Sequence, residues 1–196
     1  MREPRLVVGI SGASGITYGV RLLELLRPTS VQTHLVVTKS ARMTLGYETD
    51  MSLADLTALA DVCHSNTDLG ASISSGSFRT LGMVVAPCSV KSMSEIASGV
   101  TTSLLARAAD VVLKERRKLV LMVRETPLHR NHLRTMAELT ELGAVIAPPV
   151  PAFYARPATL EEMVDHTVGR VLDQFDLGDK LDVALRWGET PARVAP

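Results

Sequence analysis

Short apolar runs that read as strands alternate with amphipathic stretches that read as helices along almost the whole of this 196-residue chain. Strands fall near 5–11, 31–37, 81–86, 118–123 and 144–147, and helices near 15–27, 39–47, 52–60, 90–98, 102–115, 130–142 and 159–175. Such alternation leaves few folds open. Strands joined through helices run parallel, and near-continuous Val, Ile and Leu runs mean strands covered on both faces. The expected fold class is therefore α/β: a single-domain doubly wound (Rossmann/flavodoxin-like) parallel sheet with helices on both faces. The length suits one such domain and is short for two. Residues 1–177 are assigned to it, with Pro148-Pro149-Val150-Pro151 as a rigid internal loop. Beyond 177 the pattern fades, and 178–196 is expected to pack as a tail on the fold or on a neighbouring subunit.

In an open α/β sheet, ligands sit outside the carboxyl ends of the strands. The first strand delivers Gly9-Ile10-Ser11-Gly12-Ala13-Ser14-Gly15 into a helix whose apolar face begins at Ile16 and Val20. A strand, a turn of small residues and a helix N-terminus present backbone N–H groups and a positive dipole end to an anion. The glycine spacing is G-x-x-G-x-x-G, not the dinucleotide fingerprint G-x-G-x-x-G, and no acidic residue closes the second strand. A phosphate-bearing ligand and simple close packing of helix on strand both fit this turn. The second strand delivers Thr38-Lys39-Ser40 and the third Pro87-Cys88-Ser89-Val90-Lys91-Ser92, again ahead of a helix. The next delivers Arg124-Glu125, stopped by Pro127, and the last runs to Tyr154. All five ends are small or polar and suit an anion.

Within this set Arg124 can clamp phosphate oxygens bidentately and Glu125 can pass protons, although a plain ion pair at the sheet rim also fits. Ser89 reads equally as an ordinary helix cap and Lys91 as a solvated first-turn residue. Arg107 and Asp110 read as an intrahelical ion pair, while Lys114 follows a buried stretch of Val and Leu. Ser74-Ser75-Gly76-Ser77-Phe78 is either a flexible connection or a wall over a flat ligand. His129 and His132 read as capping or surface residues.

Zero formal net charge argues against nucleic acid or an anionic membrane as the main partner. Met1-Arg2-Glu3-Pro4 leads straight into a strand, and no apolar run reaches the ~20 residues of a membrane span. Two distant cysteines, Cys63 and Cys88, fit free thiols in a cytoplasmic protein. Five scattered histidines give no metal-ligand spacing.

Taken together, the motifs resemble those of the flavin prenyltransferases of the UbiX/Pad1 type. The matching pieces are Gly9 to Gly15, Ser74 to Phe78, Pro87 to Ser92, Arg107 to Val111, Leu113 to Arg117, Arg124 to His129, Gly143 to Ile146 and Pro151 to Tyr154, in family order. The resemblance implies an enzyme that joins a dimethylallyl group from dimethylallyl phosphate to N5 and C6 of reduced FMN. It implies FMN contacts from Gly12, Ala13, Ser14, Thr38, Ser89, Val90, Lys91, Ser92 and Arg124. The prenyl phosphate would be held by Lys114, Glu125, Tyr154, Arg170, Ser75 and Gly76, some of them from neighbouring subunits. Catalysis would fall to Glu125, Lys114, Arg124, Ser14 and Tyr154, without metal. The implied assembly is a homododecamer, and the product would pass to a UbiD-type decarboxylase serving quinone synthesis or acting on aromatic acids. Val123 stands where many members carry Pro. Asp68-Leu69-Gly70 lacks the tryptophan some members place near the prenyl group, which leaves Phe78 or the flavin itself for that task. The alternatives are an FMN-binding decarboxylase and a non-catalytic flavin-binding subunit of a decarboxylase complex.

Overall fold

The computed structural model describes residues 3–178. Apart from Gly178, the expected tail 178–196 lies outside the described residues, and so does Trp187. Six strands, β1 (Arg5–Ile10), β2 (Gln32–Val37), β3 (Val62–His64), β4 (Gly82–Cys88), β5 (Lys118–Val123) and β6 (Ala144–Ile146), form one sheet in the order β3-β2-β1-β4-β5-β6. Every neighbouring pair is parallel. The α-helices are α1 (Ile16–Leu26), α2 (Lys39–Glu48), α3 (Leu53–Thr57), α4 (Val90–Ala97), α5 (Leu104–Lys114), α6 (Arg130–Glu141) and α7 (Leu160–Asp173).

The doubly wound sheet matches the sequence expectation with one addition. β3 has three residues and a polar, half-exposed pattern, which no periodicity reveals. It is pinned from the side: Asp61 accepts the Thr33 N–H at 2.7 Å, and His34 Nδ1 and His64 Nε2 share a hydrogen bond of 3.0 Å. Burial first, then His64 and Arg5, pushes the His34 imidazole down to about 4, so it stays neutral in this contact. The extra edge strand turns a 2-1-3-4-5 order into 3-2-1-4-5-6, the dinucleotide-binding order. The expected helix over 52–60 shortens to α3.

The chain divides into two compact units, residues 1–149 and 150–196. In the first, Val7, Val36, Met83, Val85, Leu119, Leu121 and Val123 on one face of the sheet join a core with α4, α5 and α6. On the other face α1 comes so close that a Cβ at Gly19 would lie 2.4 Å from the Ala86 carbonyl oxygen. Leu22, Leu23 and Leu26 of α1 are fully buried, each contributing about 1.5–3 kcal/mol.

Helix starts follow one chemistry, with one exception. Thr38, Ser52, Ser89 and Ser103 each accept an N–H of the first turn of α2, α3, α4 and α5. His129 Nδ1 does the same for α6 at Asn131. Only α1, among these, starts on a residue without a side chain: Gly15, held at φ 99°. The second unit contains α7, capped by Thr159, and a 3-10 turn at Phe153–Ala155.

Candidate functional site

The sheet changes winding direction between β1 and β4, and the loops that follow these strands lie there side by side. Ser11, fully buried, joins them: its hydroxyl donates to the Pro87 carbonyl at 2.9 Å and accepts the Ser89 N–H at 2.7 Å. It is thereby committed to the scaffold and offers nothing to a ligand. β4 is irregular between Val85 and Cys88, so Pro87 sits where the ladder is already broken. The Arg124 N–H donates to the Cys88 carbonyl at 3.0 Å, which brings the end of β5 alongside. Between these ends opens a cleft of about 360 Å³ lined by Gly12, Ala13, Ser14, Ser40, Ser89, Val90, Lys91, Arg124 and Glu125.

The two helix N-termini at this cleft differ. At α1 the N–H groups of Gly15 and Ile16 donate to Glu48 Oε2 at 2.8 and 3.0 Å. Burial works to raise the Glu48 carboxyl, but the Ser14 hydroxyl, these two N–H groups and the Arg124 charge together hold it below its ordinary range. The anion expected at the first turn is therefore a carboxylate of the protein itself. At α4, Ser89 Oγ takes the Ser92 N–H at 3.2 Å, while Val90 and Lys91 occupy the first helical positions. Their N–H groups have no carbonyl of their own helix to reach. This N-terminus is the open one, with Arg124 in the same lining, while the Lys91 ammonium pairs with Glu95 one turn further along α4 at 3.3 Å.

Gly12 has a different reason from the expected one. A Cβ there would lie 2.3 Å from Ser40 Cβ, so the glycine admits the start of α2. Thr38, the α2 cap, stays behind Ser40, its hydroxyl 3.2 Å from Ser40 Oγ. Ser92 is buried beneath the α4 cap. Cys88 is fully buried, and burial pushes its thiol up to about 12, so no thiolate nucleophile faces the cleft from this position.

Lys114, Ser75 and Gly76 lie elsewhere. Lys114 ends α5, and β5 then runs from Lys118 to the cleft. A six-residue strand at ~3.3 Å per residue puts Lys114 roughly 20 Å away, at the amino edge of the sheet. There its ammonium pairs with Glu115 at 2.6 Å, beside the loop of Ser75 and Gly76. Phe78 of the same loop carries the Arg5 guanidinium over its ring, 4.4 Å from the centroid, and meets His34 edge-on. Arg107 and Asp110 form the expected pair at 2.8 Å, and the Arg107 Nε–H also donates to the Ser74 carbonyl at 3.2 Å. In the second unit Tyr154 Oη hydrogen-bonds His166 Nε2 at 3.1 Å, and Arg170 pairs with Asp173.

Sequence reading missed Glu48 and named Ser40 only as part of the second strand's end. The signal for Glu48 was indirect: Gly15 cannot cap a helix, so an acceptor had to come from elsewhere in the chain.

The donor set fits FMN. An open helix N-terminus, serine hydroxyls and the Arg124 cation suit a phosphate, and the volume is within the range of cofactor sites. Residues 1–172 match the family model of the flavoproteins. The chain is 61% identical over 184 residues to the flavin prenyltransferase UbiX of Escherichia coli K12, covering 93% of this chain and 97% of that one. A crystal structure of AnUbiX (PadA1) in complex with FMN and dimethylallyl pyrophosphate superposes with TM-score 0.94 at 49% identity, over 97% of this chain and 100% of that one. A dodecameric FMN-dependent UbiX-like decarboxylase from Escherichia coli O157:H7 superposes with TM-score 0.90 at 50% identity, over 93% and 98% of the two chains.

Proposed function

This chain belongs to the flavoprotein family, and within it to the UbiX-type flavin prenyltransferases, and from that premise we propose how its residues divide the work. The enzyme joins a dimethylallyl group to N5 and C6 of FMN, and the reduced flavin supplies the nucleophile. The observation that carries this reading is the open α4 N-terminus facing Arg124 and Glu125 across the cleft. The Val90 and Lys91 N–H groups, the Ser89 hydroxyl and Arg124 hold the FMN phosphate and ring edge, and Gly12, Ala13 and Ser14 form the floor. Thr38 and Ser92 act from behind this wall.

The donor is dimethylallyl phosphate. As its allylic C–O bond breaks, the electron pair leaves with the phosphate oxygen. Arg124 offsets that charge and Glu125 delivers the proton. Lys114, at the far edge of its own sheet, reaches this phosphate only from a neighbouring copy. The proposed assembly is therefore a homo-oligomer, a dodecamer as in the O157:H7 relative, whose clefts receive Lys114, Ser75 and Gly76 across interfaces. The resemblance assigns Tyr154 and Arg170 to the same phosphate. Residues 1–177 make up the catalytic body. The product passes to a UbiD-type decarboxylase in the cytoplasm. Among the described residues no helix is long and apolar enough to cross a membrane.

Anaerobic incubation with reduced FMN and dimethylallyl phosphate, followed by mass spectrometry of the bound flavin, tests the activity. Prenylated FMN is expected. Unmodified FMN on a folded protein overturns the reading in favour of a non-catalytic flavin subunit. Glu125→Gln should retain FMN and slow transfer about 100-fold or more; undiminished transfer removes Glu125 from the reaction.

A further inference from the structure

The amino-edge cluster around Lys114 contains an arrangement that helix geometry alone does not produce. Residues at i and i+1 do not face one another on a helix. Lys114 and Glu115 nevertheless pair at 2.6 Å, because the helix ends at Glu115 (φ −85°, ψ 6°) and Arg116 turns to the left-handed region at φ 56°. That turn brings Arg117 under the loop of Ser75 to Phe78. Its guanidinium, only 16% exposed, donates from Nη2 to the Gly76 carbonyl at 2.6 Å and from Nη1 to the Phe78 carbonyl at 2.8 Å. Nη2 also lies 3.7 Å from Glu115 Oε2.

Gly76 closes the arrangement. A Cβ there would fall 2.1 Å from Glu115 Oε1 and 2.9 Å from Lys114 Nζ, so the loop backbone is seated directly against the ion pair. An exposed pair of this kind contributes little to stability. A fork on two carbonyls and a left-handed residue are a large outlay for so small a return. They do fix the position of one ammonium group.

We propose that Arg117, Glu115 and Gly76 are positioning residues for Lys114: the guanidinium fixes the loop, the loop backs the carboxylate, and the carboxylate aims the ammonium at the prenyl phosphate. This rests on the assignment of Lys114 to a neighbouring copy's donor site. Arg117 and Glu115 touch neither the reacting atoms nor the flavin cleft of their own chain, and the part assigned to Gly76 in the donor site is played through Lys114. Their loss therefore acts on donor binding and leaves flavin binding alone.

Steady-state kinetics on the full-length assembly test this, with FMN affinity measured in parallel. Lys114→Met should raise KM for dimethylallyl phosphate about tenfold or more, and Gly76→Ala and Arg117→Lys should raise it several-fold at unchanged FMN affinity. Gly76→Ala combined with Lys114→Met should be no worse than Lys114→Met alone, because the aimed group is already gone. Glu115→Gln, which keeps the oxygen acceptor, should recover most of what Glu115→Ala loses. Unchanged KM in Gly76→Ala and Arg117→Lys, or effects that add to that of Lys114→Met, overturn the positioning role. A wild-type protein that prenylates nothing, or an active Lys114→Met with normal KM, overturns instead the donor-site reading beneath it.

Discussion

At the start of α1 the N–H groups of Gly15 and Ile16 donate to Glu48. At the start of α4, across the switch point, the equivalent N–H groups of Val90 and Lys91 face the cleft with only Ser89 capping behind them. Both junctions follow a central parallel strand, both turn on small residues, and both end in a helix dipole pointing the same way. One has been neutralised internally and the other left charged. An anion is thus directed to α4 by the absence of competition there and by the carboxylate standing at α1. The local grammar of strand, turn and helix makes two potential sites, and one glutamate at the far end of α2 selects between them.

The largest blow to this asymmetry should come from Arg124, the cation that faces the open end. Arg124→Ala should weaken FMN binding about 100-fold, the equivalent of ~2.7 kcal/mol for a charge-assisted contact, as read by flavin fluorescence titration. An unchanged affinity would mean the phosphate sits elsewhere. Val90→Pro is a finer cut. Proline is tolerated at a first helical position, and Ser89 already has the extended conformation (φ −76°, ψ 154°) that a following proline requires. The variant should fold normally and bind FMN about tenfold more weakly, through the loss of one N–H. The same affinity as wild type would show that the α4 donors are idle.

Glu48→Ala should have the smallest effect, a loss of about 1 kcal/mol in denaturant unfolding at neutral pH, since the carboxylate is exposed and screened. Its pH dependence has a definite sign. A folded carboxyl held below its ordinary value stabilises fully above that value, near 4.5, and the contribution fades as pH falls through the lowered folded value. The gap between wild type and Glu48→Ala should therefore close as pH falls through the lowered value of the folded carboxyl. A gap that persists in acid would point to packing instead of charge.

Most of the scaffold can be read from the chain because it is local. The runs that become β1, β4 and β5 are apolar beyond their first residue, β2 ends in Leu35-Val36-Val37, and the caps Thr38, Ser52, Ser89 and Ser103 stand at the positions their helices need. What escaped is held by partners far away in sequence. β3 exists through His34 and Asp61, and Glu48 reaches back more than thirty residues. Gly12 lines the cleft and also makes room for Ser40 behind it. A glycine announces a close approach without saying what approaches. Lys114 follows a buried stretch of α5, yet only the direction of β5 reveals that it stands at the amino edge of its own sheet.

The Ser11 hydroxyl, donor to Pro87 and acceptor from Ser89, has a kinetic consequence. It ties the two loops together where the winding reverses and the strands have least reason to stay in step. The cleft mouth is therefore stiff before anything enters it. Little chain entropy remains to be lost on capture, and the encounter resembles docking into a finished mould. In hydrogen exchange the amides of Ser11 and Ser89 should count among the slow ones even in the empty protein, with protection little altered by ligand. Exchange that slows sharply only on flavin addition would mean that the ligand, and not the serine, closes the seam.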